Sequence, residues 1–258
     1  MRAALLLEYD GGGFVGWQRQ ENGLSVQQVL EEAASRLVHG APVVSAVAGR
    51  TDAGVHAEGQ VALLDLPRDL APERLRDALN FHLRPHPVVV LCAAPAPAGW
   101  HPRFSARARC YRYRILNRPA RPALTAGRVW HVERPLDVPA MAAAAAALLG
   151  RHDFSSFRAS LCQASSPVKT LDRLDVTRAG DMVEVRAGAR SFLHHQVRNM
   201  VGTLKLVGEG RWPAAHVAEV LAARDRRRAG PTAPAEGLCL TGVRYDEDLF
   251  AQGPEMPG

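Results

Sequence analysis

Lysine is nearly missing from this chain: of 32 basic residues, only Lys169 and Lys205 are lysines. The rest are arginines, planar forks that meet carboxylates and phosphates bidentately, although such a bias reflects genomic base composition as readily as function. The four cysteines, Cys92, Cys110, Cys162 and Cys239, are scattered, with no C-x-x-C pair and no paired histidine spacing. That excludes a recognisable zinc site or disulfide framework and leaves free thiols. Long apolar runs are lacking too. The longest, residues 142–149, is mostly alanine and far short of the roughly 20 apolar residues a membrane-spanning helix needs. The N-terminal MRAALLLEYDGG runs straight from a short apolar stretch into acid and glycine, with no signal-peptide cleavage pattern. These absences lead us to expect a cytoplasmic protein. What is present is length, 258 residues, and positive charge, net +6 with a pI near 9.6. The length suffices for one large domain or two ordinary ones without staples, and the charge allows a polyanionic partner without identifying one.

Hydrophobic periodicity orders the first part of the chain as β-α-β-β-α-β. Residues 2–9 read as a strand ending in Asp10 and three glycines; no G-K-[ST] follows and no dinucleotide fingerprint fits, so a flexible turn is expected. Ser25 and Gln28 have capping-box spacing, and Val26, Val29, Leu30, Ala33 and Leu37 form one apolar stripe of a helix closed by Gly40. Strands are expected at 42–48, 59–66 and 87–93, with a helix at 72–83 opened by Pro72. Residues 94–99, APAPAG, read as a linker. The remainder repeats the pattern: a strand over 105–117, a helix over 138–149 capped by Asp137 and stopped by Gly150, a hairpin of 170–178 and 182–189 turning at Gly180, helices at 193–207 and 214–223, and a last strand at 238–245. The expected fold class is therefore α+β: two ferredoxin-like (RRM-like) βαββαβ halves whose joined sheets form one extended antiparallel sheet with a central cleft. The halves are residues 1–99 and 100–250, followed by a loosely ordered tail at 251–258.

Between the second and third expected strands lies AGRTDAGVHAEGQVA, residues 48–62, which gathers Arg50, Asp52, His56 and Glu58 around Gly49 and Gly54. Asp52 is the acid with a cation, Arg50, close by in sequence. An arginine within about 4 to 6 Å keeps a carboxylate ionised, and a charged carboxylate acts as a nucleophile or a salt-bridge partner rather than a general acid. His56 and Glu58 are alternative players. Alternation along residues 107–114 places Arg107, Arg109, Tyr111 and Tyr113 on one face, an interleaving of cations and rings that suits phosphates and exposed bases. His194, His195 and Arg198 sit near the start of the helix expected over 193–207, with His194 and Arg198 as i,i+4 neighbours. No carboxylate stands at ligand spacing from the two histidines, so RNA-facing or surface histidines are favoured over metal ligands.

With these pieces in place, the sequence resembles the TruA family of tRNA pseudouridine synthases. The resemblance covers nearly the whole chain through six blocks: EYDGGGFVGWQRQ (8–20), GRTDAGVHAEGQV (49–61), RFSARARCYRYRILN (103–117), HDFSSFR (152–158), FLHHQVRNMVG (192–202) and APAEGLCL (233–240). Carried over position by position, it implies that Asp52 is the catalytic aspartate and that Tyr111 lies against the target base. Arg50 and Arg198 match the basic residues that pair with the aspartate and line the cleft, and Leu238 or Leu240 the apolar residue that closes the pocket. Cys110 and Cys239 stand where the family commonly has a basic and an aromatic residue. The resemblance further implies a homodimer that needs no cofactor and no metal, with tRNA held across both subunits.

The implied reaction is isomerisation of uridine to pseudouridine in the tRNA anticodon stem-loop, at nucleotides 38, 39 and 40. Asp52 attacks C6 of the base or C1′ of the ribose on a flipped-out uridine. A competing reading is a non-catalytic RNA-binding protein with RRM-like halves, in which Arg50 and Asp52 form only a structural ion pair. A nuclease-like hydrolase would need more clustered acids or histidines than the chain offers.

Overall fold

Strand β1 (Arg2–Tyr9) is buried on both faces: Ala3, Ala4, Leu5, Leu6 and Leu7 are all fully covered. A continuous apolar run of this length needs partners on both edges, and it has them. Strands β3 (His56–Asp65) and β4 (Val88–Pro95) flank it antiparallel, with Leu5 opposite Ala62 on one side and Ala93 on the other. Strand β2 (Ser45–Val47) adds to the outer edge of β3 antiparallel, Ser45 facing Leu64. Helix α1 (Val26–Leu37) is capped as expected, Ser25 Oγ accepting from the Gln28 amide at 3.2 Å. Helix α2 (Pro72–Leu83) packs beside it and over β4. The computed structural model describes residues 1–160 and 162–250, so the expected loose tail at 251–258 lies outside the described residues.

The chain divides into two compact units, one of Met1–Arg109 and the chain from Cys239 onward, the other of Cys110–Leu238. Strand β10 (Leu238–Arg244) pairs with β3 of the first unit in parallel, Cys239 opposite His56 and Leu240 opposite Ala57. In the second unit the sheet order is β5 (Ala108–Asn117), β9 (Met182–Ala189), β8 (Val168–Ala179), β7 (Gly150–Asp153). The β8–β9 hairpin turns where expected, with Gly180 at φ +57°. Helix α3 (Val138–Ala146) starts at Asp137, whose carboxylate accepts from the Ala140 amide at 2.9 Å, and packs over β8 and against α4 (Gln196–Gly208). Helix α5 (His216–Ala223) follows. Each unit is a largely antiparallel sheet carrying helices, the expected α+β class, and no disulfide joins any of the four cysteines.

Several local expectations need correction. Strand β3 begins at His56 rather than residue 59, so the connection from β2 is only 48–55, and His56 and Glu58 already belong to the strand. The segment read as a linker, 94–99, carries β4 through Pro95. Short strands β6 (Trp130–Val132) and β7 lie where the sequence pattern assigns no element. The expected flexible turn after β1 is a tight 3-10 turn, Gly11–Gly13, capped by the Asp10 carboxylate on the Gly12 amide. It packs closely at Gly11, where a Cβ would overlap the Val55 carbonyl. Finally, α4 starts at Gln196, since His195 takes a left-handed conformation at φ +61°. His194 and Arg198 therefore do not share a helix face.

Candidate active site

The connection holding Asp52 is fixed by groups that sequence reasoning passed over. Its base is pinned where the Ala48 amide donates to Val61 O at 2.9 Å, and Gln60 Nε2 reaches Gly49 O at 2.8 Å. One residue before Asp52, Thr51 is nearly buried and its Oγ1 lies 2.8 Å from the Tyr9 hydroxyl, which also accepts from Gln60 Nε2 at 3.3 Å. Tyr9 thus links Thr51 to Gln60 through a single phenol oxygen. Burial pushes the Tyr9 phenol well above its ordinary range, so the hydroxyl stays protonated at neutral pH. Tyr9 in turn packs beside Trp17, ring centroids 6.1 Å apart.

From the other side the loop is clamped by the glycine segment. The Trp17 amide donates to Thr51 O at 3.1 Å and the Gly54 amide to Phe14 O at 3.3 Å, while the Val55 amide closes a turn onto Asp52 O at 3.1 Å. Gly16, at φ +105°, lies so close that a Cβ there would sit 2.6 Å from Thr51 O. Only glycine satisfies both the dihedral and the contact. Asp52 itself is half-buried, on a loop whose backbone polar groups are taken up by β3, by Arg109, by Phe14 and Trp17, and by a turn within the loop. His56, the first residue of β3, is buried with Nδ1 3.0 Å from the Gly11 amide and 3.1 Å from the Asp10 carboxylate. It props the glycine segment against the loop rather than standing open. Arg50 is exposed and forms no ion pair among the described residues, so the salt bridge to Asp52 expected from their spacing is not made.

In the second unit Tyr111 is half-buried on β5 and packs edge-to-face on Phe192, centroids 5.3 Å apart. The face expected to interleave cations and rings is not open. Tyr113 is fully buried and its hydroxyl donates to Pro234 O at 2.8 Å, while Arg109, the last residue of the first unit's leading segment, is buried and donates to Ala48 O at 2.6 Å and Arg103 O at 2.8 Å. Both are structural, since alternation reports which residues share a face and not whether that face is covered. Arg198 is half-buried on the first turn of α4, its Nε donating to Ala233 O at 2.8 Å while the Ala233 amide returns a bond to Arg198 O at 3.1 Å. This reciprocal pair fixes the base of the side chain. The neighbouring 3-10 turn Arg226–Arg228 is held from within: Arg226 bridges Asn199 Oδ1, Thr232 Oγ1 and Gly230 O at 2.9 to 3.1 Å. Leu238 and Leu240 are both buried.

The α+β chain, with its largely antiparallel strands carrying helices, fits the pseudouridine synthase fold, and comparison with known sequences agrees. A family model described as tRNA pseudouridine synthase matches residues 5–105 and 144–246. The chain belongs to that family. It is 70% identical over 250 residues to tRNA pseudouridine synthase A of Acidiphilium cryptum (strain JF-5), covering 96% of this chain and 98% of the relative. Identity to the proteins of the same name from Paramagnetospirillum magneticum (strain ATCC 700264 / AMB-1) and Rhodospirillum centenum (strain ATCC 51521 / SW) is 59% and 62%, over 98% and 95% of this chain and 98% and 99% of those relatives. Among the described residues no helix is long and apolar enough to cross a membrane.

Proposed function

We propose that this protein isomerises uridine to pseudouridine at positions 38, 39 and 40 of the tRNA anticodon stem-loop, acting as a cytoplasmic homodimer with Asp52 as the nucleophile. The observation that carries the reading is the loop that carries Asp52, whose backbone and Thr51 side chain are fixed by a buried Tyr9–Thr51–Gln60 network and two close-packed glycines. Loops held this firmly are where a protein positions reactive groups. The target uridine leaves the stack at a cost of a few kcal/mol, and Tyr111, its ring steadied by Phe192, offsets part of that by lying against the base. Asp52 attacks C6 of the base or C1′ of the ribose, the N-glycosidic bond breaks, and the base rotates. C5 then bonds to C1′, the C5 proton leaves, N1 takes up a proton, and Asp52 is released. Substrate and product have the same atoms, and no electrons enter or leave. Arg50, exposed beside Asp52, and Arg198, whose base is fixed, supply positive charge for the RNA backbone.

The test is incubation with unmodified tRNA followed by mapping of pseudouridine. Product at 38, 39 or 40 in tRNAs that carry uridine there is expected. Product elsewhere would refute the assigned positions, and no product would refute the activity.

A further inference from the structure

The turn leading into β5, residues 100–105, is buried or half-buried except at Arg103 and Phe104, and it is held at several points. Three of its carbonyls are each taken by a side chain from elsewhere: Trp100 O by Arg2 Nη2, Pro102 O by the Tyr245 hydroxyl, and Arg103 O by Arg109 Nη2, all at 2.8 Å. Ser105 closes it, its amide donating to His101 O at 3.0 Å and its Oγ accepting from the His101 amide at 3.1 Å. His101 Nδ1 accepts from the Arg103 amide at 3.1 Å. Burial, with Arg2 and Arg103 close by, moves the His101 imidazole below its ordinary pKa, so it is a neutral ring at physiological pH.

On this fixed turn Phe104 is 73% exposed. Its ring lies 4.6 Å from that of His101 at an interplanar angle of 34°, and the Arg103 guanidinium carbon is 5.8 Å from its centroid. The exposed Arg103 makes no ion pair among the described residues. A lone exposed phenylalanine is ordinary. One backed by a second ring, flanked by an unpaired guanidinium and carried on a clamped turn has the parts of a base-stacking platform.

We propose that Phe104, backed by His101, stacks an unpaired base of the tRNA substrate other than the reacting uridine, and that Arg103 takes the adjoining phosphate. The proposal rests on the tRNA reading above and deepens it. An RNA base fits better than a protein partner, because one ring and one cation offer far less than the roughly 800 Å² per side of a stable protein interface, whereas a base needs only a ring-sized surface. The platform is also in fixed register with the proposed nucleophile's loop. The same Arg109 guanidinium nitrogen that holds Arg103 O holds Ala48 O, at the base of that loop.

The test uses the full-length protein with a fluorescently labelled, unmodified tRNA transcript, read by equilibrium binding and by steady-state pseudouridine formation. Phe104→Ala weakens binding and raises KM about tenfold, the order expected for one lost stack, with kcat within about twofold and the melting temperature within about 2 °C. Phe104→Tyr and Phe104→Trp restore affinity. Arg103→Ala reduces the steepness of log affinity against log salt by about 0.7 to 0.9, one phosphate contact, whereas Phe104→Ala leaves that slope unchanged. Phe81→Ala, at a phenylalanine exposed to 70% on α2, is the control and binds as the parent does. Binding by Phe104→Ala within twofold of the parent, or a loss that Tyr and Trp do not restore, overturns the proposal. Binding is read independently of turnover: a parent protein that forms no pseudouridine sinks the reaction assignment, while the affinity comparison still decides the platform.

Discussion

Replacing Tyr9 by phenylalanine removes one oxygen and tests how the Asp52 loop is held. The ring keeps its place beside Trp17, so packing is conserved, and the loss falls on two hydrogen bonds. The Gln60 amide gives up a long contact of 3.3 Å and keeps its 2.8 Å bond to Gly49 O, so that side costs little. Thr51 fares worse: the residue is 7% exposed and its hydroxyl loses the bond at 2.8 Å. A buried hydroxyl stripped of its partner costs about 1 to 3 kcal/mol, which places Tyr9→Phe about 2 kcal/mol below the parent in denaturant unfolding. Thr51→Val removes the other partner and carries a similar penalty. The double variant Tyr9→Phe/Thr51→Val leaves no stranded hydroxyl on either side, so its penalty falls short of the sum of the singles by about 1 kcal/mol or more. Activity follows the same order, since a loop displaced by about 1 Å can lose on the order of a hundredfold in turnover. Additive penalties within about 0.3 kcal/mol, or Tyr9→Phe as stable and active as the parent, would refute the claim that this network positions the loop.

Gly16→Ala meets both a disfavoured φ and the Thr51 carbonyl, so a loss of about 3 to 5 kcal/mol and of pseudouridine formation is expected; a variant melting like the parent would contradict the contact. Burial raises the phenols of Tyr9, Tyr113 and Tyr245. Their folded-state pKa values exceed the unfolded value of about 10, so the stability they confer is complete below that pH and is lost as pH climbs toward the folded values. Ultraviolet titration should show these three ionising together with unfolding, and free ionisation of all three in the native protein would count against their burial. Tyr111→Phe keeps the ring that packs on Phe192 and is expected to hold tRNA within about threefold of the parent, measured by fluorescence anisotropy; a loss beyond tenfold would show that the hydroxyl, not the ring, carries binding.

Much of this architecture is legible in the residues, and the gaps have physical causes. Helix α2 begins at Pro72 and ends at Leu83 as its stripe predicts, and β9 spans the expected alternating run, because each has a strong local period and clear stops. Strands β6 and β7, three and four residues long, carry too few side chains to show a period at all. The start of α4 was misplaced because the apolar stripe continues through Leu193, while the backbone breaks at His195 in a left-handed turn that periodicity does not register. The Asp52 loop stood out through its charged residues and glycines. What holds it did not, because Tyr9, Thr51 and Gln60 come from separate stretches and look like ordinary strand and loop residues until the chain folds. Arg109 and Tyr113 mislead in the opposite sense, since an arginine–tyrosine alternation looks like a surface for RNA and is instead used to bind backbone carbonyls.

The claim on which the account turns is that Asp52 does the chemistry while the rest of the molecule holds the tRNA. Asp52→Asn changes one oxygen of the half-buried carboxylate to an amide and leaves the backbone bonds of its loop available. The decisive measurement is pseudouridine formed by Asp52→Asn on unmodified tRNA, taken alongside its tRNA affinity. No pseudouridine at 38, 39 or 40, with affinity within several-fold of the parent, is the predicted result. Turnover by Asp52→Asn at a substantial fraction of the parent rate would contradict it.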